Sequence, residues 1–270
     1  MRTRVISALA MVPLLLVFYF GGYWLMALTV LVSVIGLKEF YNGFEHMDVH
    51  PSPVVGYGAI ALLYGLNAYM YYMGDFNNIF VMAWFTVVIM AGSLYMFKID
   101  KVKPEDAMAS IVGIVYVVFF AFHVVLVDEL ENFSIMKWLI ILTAFGSDIF
   151  AYFSVMLFGK HNLCPKLSPK KTVEGAVGGV LGSAVLSALF GFLFARQYLI
   201  HFVIIGVLAS PVSMFGDLTA SAYKRHMGIK DYGDLIPGHG GIMDRFDSVL
   251  FTAPFVYYYV VIVMMYFMGK

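Results

Sequence analysis

The sequence predicts an all-α, polytopic integral membrane protein with about nine transmembrane helices and a cytoplasmic N-terminus. Three observations carry this. Hydrophobic residues make up 61% of the 270 and charged residues only 13%, against roughly a quarter charged in an average soluble domain. Apolar stretches recur from end to end, and roughly 20 apolar residues of helix cross a hydrocarbon core about 30 Å thick. Of 17 Lys and Arg residues, only Lys137, Arg196 and Lys270 fall on one side of the implied topology, and short loops rich in Lys and Arg are held in the cytoplasm.

Taken in order, the candidate spans are 5–20, 23–41, 54–72, 79–97, 107–127 and 135–158, then 175–195, 198–223 and 248–268. The opening Met1-Arg2-Thr3-Arg4 and the apolar run after it imitate a secretory signal, but no small-residue cleavage site follows, so the first helix is expected to be retained. No Ser/Pro-rich linker interrupts the series. The expectation is one continuous membrane domain, with 1–142 as scaffold and 143–270 carrying the active site. A net charge of zero gives no reason to expect nucleic acid as a partner. The one cysteine, Cys164, closes no intramolecular disulfide and has no Cys/His set of zinc spacing around it.

The first half is bland. Tyr64, Tyr69, Tyr71, Tyr72 and Trp84 lie mostly near span ends, where aromatic rings anchor helices at the interface. Lys38, Glu39 and Glu45, at the end of the second span and just after it, read as solvated with no assigned role.

The second half places polar residues inside apolar helices. At 3.6 residues per turn, Ser213, Asp217, Ser221 and Lys224 share one face near the end of the eighth span. An ionisable group there needs a cation or a wet cavity. An Asp217–Lys224 pair two turns apart is the structural alternative. The ninth span opens with Asp244, Arg245, Asp247 and Ser248, and Thr252 follows a turn later. Carboxylates delivered by two helices joined through a short loop suit a hard divalent cation, which binds oxygen ligands and substrate phosphates together. Asp148, with Tyr152 four residues on, adds an acid on the same side.

Two loops between these helices have a phosphate-binding composition. One mixes Lys224, Arg225, Lys230 and Arg245 with Gly238, Gly240 and Gly241, whose backbone turns tightly and offers amide N–H groups to an anion. In the other, Ser168-Pro169 reads as a helix start that places Lys170 and Lys171 at a helix N-terminus, an anion site. Gly159-Lys160 lacks the rest of a P-loop. Gly175, Gly178, Gly179, Gly182 and Ser183 repeat at a spacing that suits close helix packing. Residue chemistry alone therefore reaches metal-assisted phosphate chemistry and no further.

These residues resemble a known family, the phosphatidate cytidylyltransferases. The likeness rests on Ser221, Lys224-Arg225, Lys230-Asp231, His239-Gly240-Gly241, Asp244-Arg245 and Asp247-Ser248 at the family's spacing, with Asp148, Tyr152 and Ser168-Pro169-Lys170-Lys171-Thr172 upstream. Tyr223, Val155 and Val173 depart from the usual pattern at positions away from the expected ligands. The resemblance implies an enzyme that joins CTP to phosphatidate, giving CDP-diacylglycerol and pyrophosphate in phospholipid biosynthesis. It implies Asp217, Asp244, Lys224 and Arg245 as catalytic residues. Substrate phosphates would be bound by Lys170, Lys171, Ser221, Arg225, Lys230, Asp231, His239, Gly240 and Gly241. Mg²⁺ is the implied cofactor, with Asp217 and Asp244 as ligands, Asp247 and Asp148 as further candidates, and room for a second cation. Partners are then CTP, phosphatidate and the bilayer, with a homodimer left open, and the location is a bacterial inner membrane with the active site on its cytoplasmic face. A transporter would use the same intramembrane acids as an ion path. A serine hydrolase would need a Gly-x-Ser-x-Gly elbow, and a CDP-alcohol phosphatidyltransferase its Asp-x-x-Asp-Gly run; neither pattern occurs.

Overall fold

A computed structural model describes residues 15–74, 79–236, 238 and 240–267. Most of the first expected span, together with Arg2, Arg4, Pro237, His239 and Lys270, lies outside the described residues. The protein is an all-α polytopic membrane protein. Eight helices follow one another: α1 (Gly22–Glu45), α2 (Pro53–Met73), α3 (Ile79–Tyr95), α4 (Pro104–Asp128), α5 (Lys137–Phe158), α6 (Val173–Phe194), α7 (Leu199–His226) and α8 (Met243–Tyr259). Residues 15–20 are also helical. Among the described residues, seven helices are long and apolar enough to cross a membrane, and α3 is shorter.

Local chemistry sets several helix ends. Ser52 caps α2 by accepting the Val55 N–H at 3.3 Å, Pro53 fills the first turn where no amide partner is needed, and Gly74 closes the helix at φ +70°. At the start of α4, Asp106 accepts the Lys103 N–H at 2.8 Å and the His50 N–H at 2.7 Å, so one carboxylate ties this helix to the loop after α1. In the same loop region Lys103 Nζ lies 2.6 Å from Asp48 Oδ2. That lysine holds the exposed Asp48 carboxyl below its ordinary range. Both α4, at Ile114–Phe119, and α8, continuing through Val260–Phe267, contain wide π-type turns, a feature frequent at functional sites.

The chain forms two compact units. The first comprises residues up to Phe122 with the segment His226–Arg245; the second comprises His123–Arg225 and Phe246 onward. Within the first, Leu25, Leu37, Phe40, Leu63 and Trp84 are fully buried. Trp84 also donates its indole N–H to the Ala59 carbonyl at 2.9 Å, which satisfies the polar edge of a buried ring. Within the second, α5 and α6 meet through the glycines expected to serve that purpose. A Cβ on Gly178 would fall 1.8 Å from Ser154 Oγ, and one on Gly182 would fall 2.0 Å from the Phe150 ring. At the base of α5, Lys137 Nζ lies 2.5 Å from Asp128 Oδ1 with both side chains 8% exposed, so a cation stranded in apolar surroundings is neutralised locally.

One local expectation is corrected. Ser168–Thr172 is a β-strand, β2, paired antiparallel with β1 (Asn162–Cys164), and no helix starts at Ser168. The helix cap is instead Thr172, whose Oγ1 accepts the Gly175 N–H at 3.0 Å, so α6 begins at Val173. Ser-Pro is compatible with either outcome, because proline fixes φ in a range shared by a first helical turn and an edge strand.

Candidate active site

The second unit gathers most of the expected residues. Lys170 and Lys171 stand on β2 beside a cavity of about 490 Å³ that is also lined by Asp148, Tyr152, Asn162 and Met214. This volume lies within the ordinary range of small-ligand sites, about 300–1,000 Å³. The hairpin that carries the lysines is fastened to α6 by Glu174. Its carboxylate accepts the backbone N–H groups of Lys160 and His161 at 3.2 Å and lies 2.6 Å from His161 Nδ1.

Lys171 reaches from the strand to α7, where its Nζ forms an ion pair with Asp217 Oδ2. Spacing along α7 offers Lys224 as a partner within the helix; the Lys171 pair crosses between elements. Ser221, one turn on, donates to Asp217 Oδ1 at 3.4 Å. On α8, Asp247 is 8% exposed and accepts the Ser248 N–H at 2.7 Å through Oδ1. Gly216 allows the two helices to approach here, since a Cβ on it would fall 2.7 Å from the Asp247 carbonyl oxygen. Asp217, Asp148 and Lys224 all lie within electrostatic reach of Asp247.

Carboxylate and hydroxyl oxygens are the donor chemistry a hard cation takes, and the hydroxyls of Ser213 and Ser248 are buried without hydrogen-bond partners among the described residues. No cluster of three or more His, Cys, Asp or Glu side chains closes on one point among the described residues. A cage of that kind is not required of Mg²⁺, which commonly takes one or two carboxylates and completes its shell with water and substrate phosphate.

Apart from Arg225, which ends the second unit's α7 stretch, the remaining candidates belong to the first unit, and their geometry differs from expectation. Asp244 is buried, and its Oδ2 accepts the N–H groups of Tyr232 at 2.8 Å and Gly241 at 3.0 Å. The Gly241 amide, expected to face an anion, is therefore already donated to a carboxylate. Gly240, at φ +85°, turns the chain so that its carbonyl accepts the Ile236 N–H at 2.9 Å. Arg225, Lys230 and Asp231 are exposed, whereas Arg245 is half-buried with its Nε lacking a hydrogen-bond partner. His239 lies outside the described residues.

Glu39 is the residue that sequence alone misplaces. It lies within α1 and inside the expected 23–41 span, yet it is buried where a solvated position was expected. Its carboxylate accepts the N–H groups of Ile242 at 3.0 Å and Met243 at 2.8 Å. An acidic residue near a helix end ordinarily faces water, and nothing in the local pattern announces partners so distant in sequence.

The model of the Cytidylyltransferase family matches residues 2–263. The chain is 31% identical to a phosphatidate cytidylyltransferase of Staphylococcus haemolyticus (strain JCSC1435) over 256 residues, covering 93% of this chain and 94% of that protein. It is 30% identical to one of Staphylococcus saprophyticus over 260 residues, covering 94% and 96%. A shorter stretch of 61 residues is 59% identical to a phosphatidate cytidylyltransferase of Synechocystis, covering 23% of this chain and 21% of that protein. With a family match that runs nearly from end to end, the chain belongs to the cytidylyltransferase family and is a nucleotidyltransferase enzyme.

Proposed function

We propose that the chain is a phosphatidate cytidylyltransferase of phospholipid biosynthesis, joining phosphatidate to CTP to give CDP-diacylglycerol and pyrophosphate. The observation that carries this reading is the Lys171–Asp217 pair beside a lysine-bearing cavity in a membrane protein of this family. A phosphate oxygen of phosphatidate forms a bond to the α-phosphorus of CTP, and the bond from that phosphorus to the bridging oxygen of the β-phosphate breaks. The electron pair leaves with pyrophosphate. No side chain need remove a proton, because a phosphate monoester is already anionic near neutral pH. Catalysis then consists of positioning and charge neutralisation.

Mg²⁺, when bound, would neutralise the triphosphate and polarise the reacting phosphorus. Asp217 and Asp247 would hold it, with Asp148 as a further ligand and Asp244 retained as a candidate by its place in the family motif. Lys170, Lys171, Lys224 and Arg225 would supply positive charge for substrate phosphates, and Lys230 and Arg245 are retained as candidates by their place in the family motif. Lys171 also holds Asp217 in place when that carboxylate has no other cation. The loop asymmetry in Lys and Arg supports a site on the cytoplasmic face of a bacterial inner membrane, where CTP arrives from water and lipid from the side.

The reading is tested with purified protein in detergent, given phosphatidate, Mg²⁺ and CTP labelled in the cytosine ring. Label passing into the lipid fraction supports it, with none transferred in EDTA or by Asp217→Asn. Folded wild-type protein that transfers no label would refute it.

A further inference from the structure

Glu39 is a buried carboxylate that the reaction itself does not call for. Each of its oxygens accepts one backbone N–H, from Ile242 at 3.0 Å and from Met243 at 2.8 Å, across 203 and 204 residues of sequence. The first amides of any helix lack intrahelical partners and need an acceptor. For α8, which begins at Met243, that acceptor comes from α1. The amide just before, that of Gly241, goes to Asp244, so three consecutive N–H groups end on carboxylates.

The surrounding backbone is shaped to this carboxylate. A Cβ on Gly241 would fall 2.4 Å from Glu39 Oε2, and one on Gly233 would fall 2.7 Å from Oε1. Both glycines mark places where the loop closes directly over Glu39. The neighbouring residues of α1 continue the bed: the Phe40 ring lies 6.0 Å from that of Tyr232, and Gly43 leaves room for Met227, whose Sδ would stand 2.6 Å from an added Cβ. One face of α1 thus meets this loop at Met227, Tyr232, Gly233, Gly241 and Ile242.

We infer that Glu39 is a positioning residue: it fixes the loop 227–242 and the start of α8, and through them Lys230, Gly240, Gly241 and Asp244. The inference rests on the functional reading above for its effect on turnover, and on the geometry alone for its effect on the loop. A carboxylate is required, because the amide of glutamine would turn an N–H₂ donor toward one of the two N–H donors and satisfy only the other.

The test compares wild type with Glu39→Gln, an isosteric change, by backbone hydrogen exchange over 227–243 and by kcat and KM for both substrates. The loop of the variant should exchange ~10-fold faster, as expected for one lost hydrogen bond to a charged acceptor. Its kcat/KM should fall ~100-fold, as misplacement by about an ångström does, with the thermal midpoint little changed. Glu39→Asp, which keeps both acceptor oxygens on a shorter arm, should fall between the two and serves if the glutamine variant does not fold. Unchanged exchange would overturn the clamp, and faster exchange with unchanged kinetics would overturn the positioning role. A wild type that transfers no cytidylyl group would sink the functional reading, while the exchange result would still decide whether Glu39 holds the loop.

Discussion

Lys171 on the β2 strand forms an ion pair with Asp217 on α7, joining a loop cation to an intramembrane carboxylate. The two side chains are 20% and 28% exposed, so neither is bathed in water nor wholly removed from it. Replacing Lys171 with Met should leave Asp217 without this counter-charge and remove a phosphate-binding cation from the cavity. The expected loss is roughly 1–3 kcal/mol of stability, the usual range for a hydrogen bond to a charged group, and a ~100-fold or larger drop in kcat. Thermal melting in detergent and steady-state kinetics check the two parts separately.

Asp217→Asn and Asp244→Asn should both abolish turnover, but for separable reasons. Asp217 takes the Ser221 hydroxyl and the Lys171 charge, so its variant should keep native hydrogen exchange at Tyr232 and Gly241. Asp244 binds two loop amides. Its variant should exchange faster at Tyr232 and Gly241 as well as losing activity. Equal exchange in both variants would contradict this division.

Gly182→Ala should destabilise the protein strongly. The added methyl would enter the Phe150 ring at 2.0 Å, whereas one on Gly58 would meet nothing within 4 Å. Overpacking costs about 1–3 kcal/mol, while alanine in an open helical position gains up to ~1 kcal/mol over glycine. The two variants should therefore move the melting midpoint in opposite directions.

The Asp48–Lys103 pair predicts a small, salt-sensitive pH dependence. Lys103 lowers the Asp48 pKa, so the pair's contribution is present above the unfolded carboxylate's pKa and is lost as pH falls through the lower folded value. The Lys103 pKa is raised by its bond to Asp48, so the contribution fades again as pH rises through that higher value. Asp48→Asn should differ from wild type in thermal midpoint only between these limits. The difference should shrink in high salt, because the pair is exposed.

Much of this architecture is legible in the sequence because span length and hydropathy are local properties, as are the glycines at four-residue spacing that bring α6 against α5. The site is legible where its residues share a helix face, as Asp217 and Ser221 do. It is not legible where partners are distant. Lys224 was the nearer candidate for Asp217 along the chain, yet Lys171 arrives from another element. Ser168-Pro169 signals a chain direction that both a helix start and a strand satisfy, so only Thr172, which caps α6, distinguishes them. Glu39 has no local signature at all, since its partners are backbone amides of a loop more than 200 residues away.

The central claim is that a phosphate oxygen of phosphatidate attacks the α-phosphorus of CTP. It is tested most directly by following CTP labelled at the α-phosphorus and, in parallel, at the γ-phosphorus, with phosphatidate and Mg²⁺. The account predicts that α-label enters the lipid in proportion to cytidine while γ-label appears only in pyrophosphate. Lipid that gains γ-label, or label that leaves CTP as inorganic phosphate with no lipid product, would contradict it.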